Sequence, residues 1–189
     1  MEDYPVLKNL RLKTWDYTSD GTYFLTFCTT AHRCLLSMIR RGDLYGRPPL
    51  TLTAPGQCVD QAIREQAAAA GIQVHHQVIM PNHVHLLISL EQATTRVAPT
   101  EGNERAAIKA APTSVGNLIG AIKSRALCLA RQQGLSAAGL WQRGYHDHIV
   151  RNTDDFQTIW TYIDQNPQKW ELDRYYTDTE KERPPCRPS

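Results

Sequence analysis

The sequence predicts an α+β fold in which an antiparallel sheet carries two helices on one face. Two observations predict it. The periodic segments of the 189-residue chain run strand, helix, strand, strand, helix, strand, which is the split βαβ arrangement of ferredoxin-like (RRM-like) folds. The run Met80-Pro81-Asn82-His83-Val84-His85-Leu86-Leu87-Ile88 then sorts its residues as a strand must. Alternate side chains share a face, so His83 and His85 leave one side, about 6–7 Å apart at Cα. Val84, Leu86 and Ile88 leave the other side, toward a core.

The elements follow in order. Residues 1–20 read as an N-terminal arm, and residues 21–176 as a single domain. Residues 23–29 alternate aromatic, β-branched and small side chains and form the first strand. Residues 40–55 are rich in Gly and Pro and make a turn-rich connection with room for a short hairpin. Residues 57–70 form a helix with Val59, Ala62, Ile63 and Gln66 on one face and Gly71 at its end. Residues 72–80 form a strand with Val74, His76, Val78 and Met80 on one side. Residues 91–112 lack periodicity and read as a flexible loop, long for a compact domain. Thr113 or Ser114 caps a helix to about residue 133, with Val115, Ile119, Ile122, Ala126 and Leu129 as its core stripe. Residues 145–151 form the fourth strand. Residues 177–189 read as a poorly ordered tail.

A further helix begins at Asn152-Thr153-Asp154-Asp155, where Asn or Thr caps the free amides and the aspartates suit the positive end of the dipole. Phe156, Ile159, Trp160 and Ile163 form its apolar stripe, and Pro167 closes it near Asn166. Tyr162 and Asn166 lie four apart on one flank of that stripe. The two-helix arrangement leaves the second sheet face open, with this helix an addition to the core.

Hydrophobic residues are 41% of the chain and charged residues 21%, a globular rather than a disordered composition. Without an apolar span or a signal segment, a cytoplasmic, nucleoid-associated protein with no membrane partner is expected. Five cysteines without a Cys-x-x-Cys pair argue against a disulfide framework and against a zinc ribbon. The net charge of +2 does not announce nucleic-acid binding, so any DNA surface has to come from local clusters. Candidates are Lys8/Arg11/Lys13, Arg40/Arg41/Arg47, Lys123/Arg125, and Trp141, Arg143, His146, His148 and Arg151 together. Each is equally readable as a solvated face.

Two imidazoles held side by side on a strand make half of a metal site; their plain alternative is a pair of surface histidines. A carboxamide one turn after a flank tyrosine, as at Asn166, can serve a site formed between helix and sheet. Imidazole and carboxamide ligation with open positions fits Mg²⁺ or Mn²⁺, and zinc is not excluded by affinity order.

Taken together, these segments resemble the single-tyrosine transposases of the HUH class, in which U is a hydrophobic residue. Within that class they look closest to the REP-associated tyrosine transposases of bacteria. The resemblance rests on Tyr23-Phe24-Leu25-Thr26-Phe27, Pro81-Asn82-His83-Val84-His85, Ile119-Gly120-Ala121-Ile122-Lys123-Ser124, Trp141-Gln142-Arg143-Gly144-Tyr145 and Tyr162-Ile163-Asp164-Gln165-Asn166-Pro167. They occur in the family's order over roughly residues 20–175. The resemblance implies Tyr162 as nucleophile, His83, His85 and Asn166 as metal ligands, and a divalent ion as cofactor. Many relatives carry Gln where this chain has Asn166. It also implies single-stranded or hairpin DNA of the REP type as substrate, cut and rejoined through a 5′-phosphotyrosine intermediate, by a monomer or a homodimer. The competing expectation is a non-catalytic nucleic-acid-binding protein built on the same sheet. No general base is identifiable from spacing.

Overall fold

A computed structural model of the chain describes residues 20–39, 50–91, 114–136 and 139–176. Residues 1–19 of the expected arm, residues 92–112 of the expected loop, the tail, the Lys8/Arg11/Lys13 and Arg40/Arg41/Arg47 clusters and Cys186 lie outside the described residues. The strands are β1 (Gly21–Cys28), β2 (Ser37–Ile39), β3 (Leu50–Leu52), β4 (Gln73–Ile79), β5 (His83–Leu90) and β6 (His146–Val150). The helices are α1 (Ala54–Ala70), α2 (Val115–Gln132) and α3 (Thr153–Gln165), the last followed by a 3-10 segment, Asn166–Leu172. The main sheet has the order β4-β5-β1-β6, antiparallel throughout. That is the sheet of a ferredoxin-like fold. The short β2–β3 pair flanks residues 40–49 as the expected hairpin.

Alternation along β1 and β5 builds the core. Tyr23, Leu25 and Phe27 on β1 and Val84, Leu86, Ile88 and Leu90 on β5 point to one face. There they meet Val59, Ala62, Ile63 and Ala67 of α1 and Val115, Ile119, Ile122, Ala126 and Leu129 of α2. Each fully buried aliphatic side chain in this layer contributes about 1.5–3 kcal/mol of transfer free energy. Both helices thus lie on one face, as the element order predicts.

The second face is not open. Ile159 and Ile163 of α3 pack with Val78, Met80, Leu87 and Trp170 in a smaller apolar cluster. α3 therefore covers the β4–β5 half of this face. Its start is set by Asn152, whose side chain accepts from the Asp155 amide.

β4 departs from simple alternation. Its register against β5 shifts between Val74, opposite Ile88, and His76, opposite Leu87. The extra residue is a β-bulge at His75. Val74 therefore faces the helices, while His76, Val78 and Met80 face α3. The expectation of all four on one side fails at Val74. His75 and His76, neighbours that regular alternation would put on opposite faces, both meet α3: His75 packs edge-on to Phe156 at 5.3 Å and His76 stacks on Trp160 at 4.5 Å.

α1 begins three residues earlier than the sequence suggests, because Thr53 caps it, Pro55 is tolerated in a first turn, and Gly56 is a packing residue. The Gly56 amide reaches the Thr53 hydroxyl, which itself donates to the Leu36 carbonyl at 2.9 Å. A Cβ on Gly56 would lie 1.8 Å from that carbonyl oxygen. Gly56→Ala is expected to lower stability by at least about 1–3 kcal/mol, the usual cost of overpacking. A urea titration with an unchanged midpoint would show that the close approach is not maintained in solution.

Candidate functional site

His83 and His85 end up under α3, 0% and 1% exposed. Their ring centroids are 4.5 Å apart and their Nε2 atoms 3.0 Å apart. Burial lowers the His83 pKa to about 3, helped by His32 and Arg174. Burial first, then His83, pushes His85 well below the ordinary imidazole value. Both rings are therefore neutral at pH 7.

The far nitrogen of each ring is fixed by a neighbour. The Asn82 amide nitrogen donates to the carbonyls of His32 (3.0 Å) and Tyr175 (2.6 Å). Its oxygen must then face His83 Nδ1, at 2.9 Å. A carboxamide oxygen only accepts, so His83 carries its proton on Nδ1 and presents a lone pair at Nε2. Thr26, opposite His85 in the β1–β5 register, places its hydroxyl 2.7 Å from His85 Nδ1. A hydroxyl can donate or accept, so His85 is free to hold its proton on either nitrogen.

The His32 carbonyl in this network comes from a left-handed turn, with φ +53° at Ala31 and +52° at His32. Such residues cost of order 1–3 kcal/mol each and persist where the surroundings over-determine them.

Asn166 lies at the junction of α3 and the 3-10 segment, 3% exposed. Its amide nitrogen donates to Asp173 Oδ2 at 3.1 Å, and its Oδ1 is buried without a hydrogen-bond partner. An orphaned buried oxygen in the same group as the His83 lone pair is what a cation site offers. The Asp173 carboxylate joins them: one ligand atom from each of His83, His85 and Asp173 lies within 4.8 Å of the others. The donor set, two neutral imidazoles, a carboxamide oxygen and a carboxylate, fits a divalent ion.

Tyr162 borders this group from α3. Its hydroxyl is 3.5 Å from His85 Nε2, and its ring packs on His85 (5.3 Å) and edge-on to Phe24 (5.9 Å). It remains 42% exposed. Burial raises its pKa and Asp173 adds to the rise, while Arg174 and Asn166 oppose it.

The residues expected to line a DNA surface divide. His146 stands opposite Thr26 in the β1–β6 register, so His85, Thr26 and His146 form one row across the site's sheet face. His148, two residues on, pairs with Asp155 at 2.9 Å. Arg143 is exposed and borders a small recess with Gln142, Tyr145 and Tyr175. Arg151 is exposed, and its backbone amide donates to Asp155. Lys123, Arg125 and Trp141 lie elsewhere. Lys123 donates to the carbonyls of Gln142 (2.9 Å) and Gly144 (2.6 Å). Trp141 donates to the Lys123 carbonyl and packs edge-on to Phe27 at 5.2 Å. Arg125 pairs with Glu65, from α2 to α1. Lys123 and Trp141 brace the 141–144 segment against α2, and Arg125 joins the two helices.

Sequence reasoning missed Asp173, Arg174 and Tyr175, which follow the helix in a segment without periodicity. Asn82, which stands inside the motif, received no role there.

The depressed imidazoles have a signature in stability. An unfolded imidazole takes up a proton below about pH 6.5, which folded His83 refuses until about pH 3. The unfolded chain therefore binds more protons, and stability is full above about pH 6.5 and lost as the pH falls. The slope is up to about 1.4 kcal/mol per pH unit for each imidazole. In chelator, urea midpoints taken from pH 7 to 4.5 should fall less steeply for His83→Gln than for wild type. Equal slopes would mean that His83 is not buried neutral.

A scan of protein-family models matches none to this chain. An uncharacterized protein of Haemophilus influenzae Rd is 28% identical over 175 residues, which span 90% of this chain and 93% of that protein. Among solved structures, a candidate transposase from Deinococcus radiodurans R1 is 15% identical, over 81% of this chain and 95% of that one, with a TM-score of 0.41. A REP-associated tyrosine transposase, solved bound to a REP hairpin, is 22% identical over 89% of this chain and 74% of that one, with a TM-score of 0.51. The chain has the fold of a REP-associated tyrosine transposase.

Proposed function

We propose that the chain is a REP-associated tyrosine transposase in activity as well as in fold: a metal-dependent endonuclease and strand transferase acting on single-stranded or hairpin DNA. The observation that carries this reading is the Tyr162 hydroxyl 3.5 Å from His85 Nε2, at the edge of a buried His83/His85/Asn166/Asp173 ligand group. The shared fold, and the hairpin bound by the structural relative, support DNA as the partner.

Tyr162 is the nucleophile. Its oxygen attacks phosphorus, the bond from phosphorus to the 3′ oxygen breaks, and the segment downstream of the cut stays linked to the tyrosine through its 5′ phosphate. The proton that leaves the phenol is balanced by the proton gained by the departing 3′ hydroxyl. The phosphotyrosine bond keeps the energy needed to rejoin the strand, so one hard step becomes two easier ones. A divalent ion, Mg²⁺ or Mn²⁺, would supply Lewis-acid polarisation and orientation of the phosphate. His83 presents its Nε2 through Asn82, and Asn166 turns its free oxygen toward the same place. Thr26 accepts from His85 Nδ1 when His85 Nε2 serves as ligand. The half-exposed phenol meets a strand arriving over β6, where His146, His148, Arg143 and Arg151 line the approach.

A non-catalytic binder would use an open sheet face with exposed aromatic residues. Here α3 covers half of that face, and histidines occupy the inner strand, which supports the catalytic reading.

Tyr162→Phe should leave the fold intact and abolish a covalent adduct with end-labelled hairpin DNA and Mn²⁺ on denaturing gels. An adduct that persists in this variant overturns the assignment of Tyr162. Thr26→Val keeps the β-branched shape and removes the hydroxyl; it should weaken Mn²⁺ binding by about tenfold or more, in line with the loss of a ligand's orienting partner. Unchanged affinity by calorimetry would argue against His85 as a ligand.

A further inference from the structure

The strap that follows α3 carries one more cation into the site. Arg174 is exposed and lies next to the ligand residue Asp173 in sequence. Its guanidinium donates to the Tyr175 hydroxyl and lies over the Tyr175 ring, 4.5 Å from its centre. Tyr175 is itself buried, with its ring 4.8 Å from His83 and 5.4 Å from His32. Its backbone is pinned by the Asn82 amide and by its own amide donating to Asp173 Oδ1 at 2.7 Å. The guanidinium therefore rides on a fixed platform. That platform packs against His83, so the guanidinium stands on a residue in contact with the ligand pair.

Among the described residues Arg174 has no carboxylate within ion-pair distance, and Tyr175 is its one hydrogen-bond partner. An arginine presents five N–H donors in a planar fork that matches two phosphate oxygens. A divalent ion held by two neutral imidazoles, a carboxamide and one carboxylate leaves a net positive charge of one. Arg174 raises that to two. A second cation at this place weakens metal binding by repulsion unless an anion sits between them.

We propose that Arg174 is a phosphate-binding residue of the site: braced on Tyr175, its guanidinium receives oxygens of the phosphodiester that Tyr162 attacks. The inference rests on the nuclease reading for the identity of that phosphodiester. The anion site itself is tested without DNA.

The probe is inorganic phosphate, titrated into the full-length, Mn²⁺-loaded protein and followed by ³¹P line broadening, with Mn²⁺ affinity measured in parallel by electron paramagnetic resonance. Wild type and Tyr162→Phe should bind phosphate alike. Arg174→Gln should weaken phosphate about tenfold, as the loss of a charge-assisted hydrogen bond implies. Arg174→Lys should fall between them. Mn²⁺ affinity in Arg174→Gln should stay the same or rise, because a like charge has gone. Phosphate affinity unchanged in Arg174→Gln overturns the proposal, as does a wild type that binds no phosphate. A parallel fall in Mn²⁺ affinity would make Arg174 a brace for Asp173 and also overturn it. If phosphate binding depends on Arg174 yet no DNA adduct forms in wild type, the nuclease reading fails and the anion site stands.

Discussion

Two neutral imidazoles, buried with their Nε2 atoms 3.0 Å apart, are the constraint around which the rest of the site is arranged. Burying a polar group without a partner costs roughly 1–3 kcal/mol by mutational measure. Four ring nitrogens are therefore tolerable under α3 only if their outer atoms are satisfied. Asn82 satisfies one and Thr26 the other. Asn82 can do so only because its amide nitrogen is anchored at two carbonyls, one from the left-handed turn at Ala31 and His32, the other from the strap at Tyr175. Three parts of the chain remote in sequence thus meet on one carboxamide. The inner nitrogens face each other, with the Tyr162 hydroxyl at the edge of His85 Nε2, and that pairing is the chemical signature of the site.

The same constraint explains the placement of α3. β6 is an edge strand, and α3 leaves it to cross the face and cover the β4–β5 half. Ile159 and Ile163 drive that crossing, since they complete the apolar cluster with Val78, Met80 and Leu87. Tyr162 sits beside Ile163 but on the helix flank, so it stays 42% exposed while Asn166, one turn later, is 3% exposed. The helix runs from accessible to buried within four residues. A phenol at the rim and an oxygen donor at the floor follow from one amphipathic pattern.

Much of this was legible in the sequence because it depends on period. His83 and His85 share a face by the two-residue period of a strand, and Tyr162 and Asn166 by the helical one; both hold in the structure. What escaped depends on features without a period. The bulge at His75 moves one residue out of register and brings both His75 and His76 against α3. No local composition marks it. Asp173, Arg174 and Tyr175 lie beyond a 3-10 segment, where spacing gives no face. Lys123 shows a different limit. Its basic, aromatic neighbourhood has the composition of a DNA surface, yet its ammonium is spent on the carbonyls of Gln142 and Gly144. A basic residue that closes a loop and one that awaits a phosphate are identical in sequence, and only the carbonyls around the first distinguish them.

That distinction also bears on the two cations that matter most here. Lys123 is half-buried, and its partners are neutral carbonyls that it fully engages, so it acts as a brace between α2 and the 141–144 segment. Arg174 is exposed, and its partner is a phenol that orients the fork without neutralising it. A solvated fork held in one orientation loses little further freedom when an anion arrives. The sheet and α3 hold the imidazoles and the phenol, and the strap supplies the Asp173 carboxylate and, on Tyr175, the Arg174 guanidinium, so the charged groups of the site come from a segment with little regular structure.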